Sequence, residues 1–442
     1  MESMLFIVTI AVWITVLRGE NGKLTEEEQQ DYFKWISTIL PQHWLDQPIT
    51  RKITTETILE NFRNNREKAY KSVQDYKDNK KSFWLRLSAY SMFSEQQFYN
   101  KKRENDHRIL NEVEPITDFK SVEQEEFIKQ VKLNYNYDSV LPTPWNTSEL
   151  VIIPMKVDWR LRNAIRVPAD VHAYCTASYP FAVAATIDAH INYWTEYDYA
   201  PTPQTFMSCP YGNDVKFQHY DPCDDQNGFN GTPDSVIRAY KFAILNGLQD
   251  RERHPFQDRY ERCDDSNAHD EGYWTKHLSG YVLIPKDHNA EVNLMVAVAL
   301  HGPVTVSFES THANLDLMNY GGGIYDGPCG KGKLLTMMVI GYGEEKGKPY
   351  WLLQYSLGQN WGQYGYIKIA RFGQCDITQQ MVFPIVEADE RIYGFHTAED
   401  DWWTNLETKL VMNAVHRKYN YTSEMDLPPE LKLSNDEPSV WN

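Results

Sequence analysis

The sequence predicts an α+β protein in which a small helical domain precedes a larger body of mixed helices and strands. Three observations carry this. In ITTETILENFRNNREKAYKSVQDY, the residues Ile58, Phe62, Ala69, Val73 and Tyr76 recur every three to four positions with charges between them, the pattern of an amphipathic helix of about six turns. In AYCTASYPFAVAATIDAHINYW, Ala173 to Trp194, the residues Phe181, Ala184, Ala185, Ile187, Asp188 and Ile191 keep helical spacing and give one closely packed apolar face, as in a helix through the middle of a domain. MMVIGYG from Met337 and NWGQYGYIKIAR from Asn360 alternate aromatic and β-branched residues with glycines at bends, and read as strands.

The amino-terminal run MLFIVTIAVWITVL, Met4 to Leu17, is followed by Arg18, Gly19 and Glu20 and is too short to span a bilayer comfortably. It reads as a signal peptide over residues 1–20, and no other segment is apolar enough to cross a membrane. Six cysteines, Cys175, Cys209, Cys223, Cys263, Cys329 and Cys375, lie in one region and suit three disulfides in an oxidising compartment. Sequons at Asn146, Asn230 and Asn420 are candidate glycosylation sites there. The destination expected is the extracellular space or a lysosomal lumen. A net charge of −17 excludes a nucleic-acid partner, because phosphate binding needs a basic surface to displace counterions.

Residues 24–108 form the helical domain, in which Phe83 to Leu87 alternates apolar and polar like a short strand and Ser94 caps a further helix with Gln97 three residues on. Residues 109–154 form a linker whose LPTPWNTSEL, with two prolines and a sequon, reads as exposed. The body is 155–387. An acidic extension, 388–442, carries one amphipathic helix from Asp400 to Lys418, with Trp403, Leu406, Leu410 and Ala414 on one face, and a proline-bearing end expected to stay mobile. Asp225, Asn227 and Gly228 sit at calcium-loop offsets, but Cys223 takes the leading ligand position and a turn is the better reading. No HExxH or CxxC pair offers metal chemistry, so no metal and no cofactor is expected.

The body resembles the papain-like cysteine peptidases. VDWR at Val157, the loop and helix around Ser178, GGGIYDGPCG at Gly321, MMVIGYG at Met337 and NWGQYGYIKIAR at Asn360 together carry the resemblance. It implies a two-lobed fold, a helical lobe beside a β-barrel lobe, preceded by a propeptide-like helical domain whose linker would run through the cleft. Phe62 and Asn65 fit the propeptide helix motif, whereas Leu59, Ala69 and Val73 depart from it. The family pattern pairs Cys175 with Cys223, Cys209 with Cys263, and Cys329 with Cys375.

Matched residue by residue, the family's catalytic cysteine falls on Ser178, its histidine on Leu335, its asparagine on Tyr355 and its oxyanion glutamine on His172. Leu357 replaces the tryptophan that shields the asparagine, and Tyr179 the one after the nucleophile. A serine hydroxyl needs a neighbouring base, and leucine carries no proton. Losing members of such a unit costs on the order of a million-fold in turnover. Ser178 then reads as a helix N-cap, and His172 as a hydrogen-bonding residue.

These residues lead to the expectation that the chain is not an enzyme but a secreted pseudopeptidase of this family. Its cleft, made apolar by Leu335, Leu357, Thr336 and Met337, would hold a peptide, a protein ligand or its own propeptide-like segment. A structural role for the surfaces and tail is the second reading. An active peptidase is the alternative, either cysteine-type or rebuilt with Ser178 as nucleophile and His172 as base. A glycan at Asn230, near the glycine-rich cleft wall, would obstruct a substrate.

Overall fold

The computed structural model describes residues 24–40, 53–97, 141–143, 145, 153–162, 164–166, 168–169, 178–195, 199–208, 233–257, 273–274, 278–310, 314–329, 334–386 and 437–441. The signal-peptide run, His172, the sequons at Asn146, Asn230 and Asn420, the cysteines Cys175, Cys209, Cys223 and Cys263, and the helix expected over 400–418 lie outside the described residues.

In the helical domain, α1 (Glu26–Thr38) opens with a capping box from Thr25 and Glu28, which satisfies two of the amide groups that a helix start leaves unpaired. The expected long helix is α2 (Thr55–Lys77), with Ile58, Phe62, Ala69 and Val73 buried. Phe62 packs against Tyr32 and Trp35 of α1 at ring separations of 5.0 and 5.1 Å. Asn65 is buried on the same face and donates to the carbonyls of Ser91 and Phe93, at 3.0 and 2.9 Å, while Asn61 donates to that of Met92. Two side-chain amides therefore satisfy a turn, 89–92, that no sheet reaches. Ser94 and Gln97 form the expected cap, each accepting the other's backbone N–H.

Strand β1 (Phe83–Leu85) is shorter than the alternation suggested, and all three of its residues are buried. The reason is tertiary. β1 does not lie with one face in water but adds to the edge of the body's sheet, antiparallel to β7 (Tyr320–Tyr325), with Trp84 opposite Gly322. A Cβ on Gly322 would lie 2.3 Å from the Trp84 ring, so the GGG run is the bed on which the indole rests.

The body opens with β2 (Val157–Asp158), where Asp158 holds Arg160 by two parallel bonds and Trp159 donates to the Val298 carbonyl at 2.7 Å. After it come α3 (Tyr179–Trp194), α4 (Pro203–Ser208), α5 (Pro233–Asn246), the β3 (Leu248–Gln249) and β4 (Tyr273–Trp274) pair, and β5 (Leu278–Leu283). Then follow α6 (Ala290–Leu300), β6 (Val304–Glu309), the one-turn α7 (Leu315–Met318), β7, β8 (Leu334–Glu345), β9 (Lys348–Gln354), β10 (Tyr366–Ala370) and β11 (Gln380–Val386). The sheet runs β1-β7-β10-β9-β8-β6-β11-β5, with β2 paired to β8. Helix and sheet segments in this order give the expected α+β class. Gly341 lets β2 approach β8, since a Cβ there would meet the Val157 carbonyl at 2.1 Å. The NWGQYGY stretch is turn rather than strand up to Gly365, because Gly362, Tyr364 and Gly365 all have positive φ; β10 begins at Tyr366.

Two expectations about connecting segments are corrected. The described part of the 109–154 linker is not free of the body: Thr143 bridges to Val282 and its backbone N–H donates to the Tyr281 carbonyl at 2.8 Å, on the edge strand β5. Nor is it all exposed, because Trp145 is half-buried against Phe383 and His301. The described carboxyl-proximal residues, 437–441, are not loose either: Val440 is buried in the main core. Of the expected disulfides, Cys329–Cys375 is formed, joining the end of β7 to the loop after β10.

Two predictions follow from this packing. Gly322→Ala should lift Trp84 from its bed and loosen the helical domain, read as faster proteolysis within residues 55–97 with the body intact. His190 is fully buried, with Nε2 2.8 Å from the Pro303 carbonyl, and burial holds its pKa down at about 4; burial likewise pushes His301 down. The unfolded imidazole binds its proton near pH 6.5, so between that value and about pH 4 the unfolded chain binds more protons than the folded one. Melting temperature should therefore fall as pH is lowered through this window, and His190→Gln, which keeps a donor for Pro303, should flatten the slope.

Candidate peptide-binding cleft

Helix α3 is what positions the site. Tyr179 to Ala184 and Thr186 to Ile191 are all buried, so burial extends round the helix rather than along the single face that the spacing of Phe181, Ala184, Ile187 and Ile191 suggested. The sheet and α6 cover one side, and α5 with β5 and β11 the other. A buried polar chain fixes its rotation: Tyr240 of α5 shares a hydrogen bond with Thr305 of β6, which donates to Thr186, which in turn bonds the Ala182 carbonyl. Each of these three hydroxyls has a partner, which burial requires.

Ser178 stands at the N-cap position of α3 with Pro180 in the first turn, but its side chain makes no capping bond. Instead its Oγ accepts the backbone N–H of Thr336 on β8 at 2.9 Å, deep in the protein. The expected cap role is corrected for that reason: the hydroxyl is turned across to the strand, where a buried amide would otherwise be unpaired. Thr336 in turn shares a hydrogen bond with Ser307 at 3.0 Å. Helix start and sheet are thus stitched at the point to which the sequence match assigned the nucleophile.

Leu335 is buried in the main core. Tyr355 lies at the end of β9 with its ring edge-on to Trp361, centroids 5.2 Å apart. Two adjoining cavities run between α3 and strands β8 and β9. The larger, with about 620 Å³ of open volume, is walled by Phe181, Ala184, Ala185, Met338, Phe256 and two prolines, and its polar groups are Arg166, Asp188, Arg251 and Gln354. The smaller, about 280 Å³, shares Phe181, Ala185 and Met338 and extends to Thr336 and Tyr355. Of the residues expected to make the cleft apolar, Thr336 lines it, whereas Leu335, Met337 and Leu357 do not; Met338 does. Successive β residues face opposite ways, so Thr336 and Met338 share one side of β8 and Met337 takes the other, where it is fully buried.

The charged groups of the cleft were not foreseen from the sequence. Arg166 meets both carboxylate oxygens of Asp188, at 3.0 and 2.9 Å, and its carbonyl accepts from Gln354 at 2.8 Å. Helical spacing alone puts Asp188 on an apolar face. Arg166 comes from an irregular segment 22 residues away, and no spacing signal connects the two. Among the described residues no group of His, Cys, Asp and Glu side chains is arranged to hold a metal ion, and no helix is long and apolar enough to cross a membrane.

Residues 153–385 match the family model described as papain family cysteine protease. Papaya proteinase 4 of Carica papaya is 27% identical over 74% of this chain and 83% of its own length, and mexicain of Jacaratia mexicana is 30% identical over 52% of this chain and 98% of its own. Among solved structures, procathepsin L 3 of the Tenebrio molitor larval midgut superposes with a TM-score of 0.58 at 22% identity, covering 82% of this chain and all of that one. That likeness shows the two-lobed fold and takes in residues outside 153–385.

These comparisons overturn the expectation that the chain is not an enzyme. Its relatives are named proteases, fruit bromelain of Ananas comosus and cathepsin R of Mus musculus among them, and family membership points to an enzyme. The expectation had rested on residue types counted from motifs, and those say nothing of how a complete site is assembled in space. Ser178→Ala should leave the Thr336 amide buried without an acceptor and cost about 1–3 kcal/mol of stability in chemical denaturation, whereas Ser178→Thr should cost less.

Proposed function

Because this chain belongs to the papain family of cysteine proteases, we propose that the cleft between α3 and strands β8 and β9 binds an extended segment of a peptide or protein. The cleft wall carries the reading: the apolar Phe181, Ala185 and Met338 line it together with the Arg166–Asp188 pair and the exposed Arg251. A bulky apolar side chain fits against the apolar residues. A carboxylate beside it would meet Arg251.

By sequence match we assign Ser178, Leu335, Tyr355 and His172 to the family's nucleophile, histidine, asparagine and glutamine positions. Ser178 lies at the amino end of a 16-residue helix and accepts a backbone N–H, two features that favour negative charge on its oxygen. Removing its proton still requires a base, and the sequence candidate for that is His172. The proposed organisation is a signal peptide over 1–20, a propeptide-like domain over 24–108, a linker over 109–154, the peptidase domain over 155–387 and an extension over 388–442. Export through the secretory route, disulfides Cys175–Cys223 and Cys209–Cys263, and glycans at Asn146, Asn230 and Asn420 belong to the same proposal.

The purified full chain, titrated with a peptide library, should show a rise in melting temperature of about 3–8 °C at ligand well above Kd. Peptides with a large apolar residue next to an acidic one should give the largest shift, and Ala185→Trp, which fills the cleft, should remove it. If no peptide shifts the transition, the cleft is not a peptide site. Mass spectrometry of the same mixtures reads cleavage. Turnover lost in Ser178→Ala places the chemistry at the start of α3, and turnover retained there places it elsewhere.

A further inference from the structure

The described carboxyl-proximal residues pack on the helical domain across a long stretch of sequence, Trp441 lying 355 positions after its partner Arg86. The Leu87 N–H donates to the Val440 carbonyl at 2.8 Å, and Leu87 itself is fully buried. Arg86 donates through Nη2 to the Trp441 carbonyl at 3.4 Å and through Nη1 to the Gly362 carbonyl of the body at 3.2 Å. Lys34 of α1 stands over the Trp441 ring, 4.5 Å from its centroid. The Val440 side chain is only 4% exposed, and Trp441 is half-buried against the same core. One short segment thus supplies two backbone acceptors to Arg86 and Leu87 and an aromatic face to α1, and buries one apolar side chain in the core. Arg86 links that contact to the body.

We propose that residues 437–441 are a clamp that fastens the helical domain to the peptidase domain. The domain is held at one place by β1 on the glycine run of β7, and at a second by this segment. The segment is itself joined covalently to the body through residues 387–436, and that tether makes its binding intramolecular. A contact of modest strength then acts at an effective concentration in the millimolar range. Cutting the chain between the helical domain and the body therefore leaves the domain in place, and loss of the clamp is the step that frees it. The contact itself does not depend on the cleft's ligand or on any turnover.

The test uses the full chain with a site for a sequence-specific protease placed between residues 109 and 140. After the cut, release of the amino-terminal fragment is followed by size-exclusion chromatography. The fragment should remain bound in the otherwise native chain. Val440→Asp and Trp441→Ala should each release it about tenfold faster or more, as expected when a buried anchor is lost. Lys34→Ala, at an exposed residue that leaves folding untouched, should speed release about two- to fivefold through loss of the cation–π contact. Val440→Asp removes a core residue, so Trp441→Ala and Lys34→Ala decide the matter if that variant does not fold. Release at the native rate in both overturns the proposal.

Discussion

The architecture depends on one helix being buried on every side. An amphipathic helix needs a single apolar neighbour, whereas α3 has two: Ala189 belongs to the main cluster, and Tyr179, Val183, Ala184, Ile187 and Ile191 to the smaller one. It is therefore the wall common to both lobes. Its rotation is set by the Thr186–Thr305–Tyr240 hydroxyls rather than by an apolar stripe, because apolar packing is non-directional and a buried hydrogen bond is not. The cleft runs past this helix at Ala185 and Asp188.

The helical domain is integrated by addition rather than by a second core. Trp35 donates to the Ser88 carbonyl and Asn65 closes the turn at 89–92, so side chains of α1 and α2 hold the segment around β1. It then pairs with β7 and extends the same sheet. Such an edge would otherwise present unpaired amides, and here the chain's own first domain occupies it. The contact of Val440 and Trp441 falls on the residues that immediately follow β1. Both fastenings thus bear on one stretch, Trp84 to Leu87.

At the start of α3 the polar groups are tied to the sheet and to one another. The Ser178 hydroxyl answers a strand amide, and the arginine–carboxylate pair sits further along the helix. The cleft is lined by the apolar Phe181, Ala185 and Met338 together with the charged Arg166, Asp188 and Arg251.

Much of this was legible in the sequence. Helical spacing marked α2 and α3, alternation marked β8 and β10, and the family motifs together gave the two-lobed fold and the Cys329–Cys375 bond. These signals are local or lie in compact motifs, so a linear reading finds them. What the sequence left open is whatever depends on residues brought together from afar. Arg166 with Asp188, Trp84 on Gly322, Trp145 beside His301, and Val440 under Leu87 each join segments with no shared period. The same holds for Ser178, whose position in the sequence fits a cap but whose hydroxyl is claimed by a strand 158 residues away. Side-chain type and spacing fix which element forms. Which partner a buried polar group takes is decided only when the chain has folded and every other donor and acceptor has been placed.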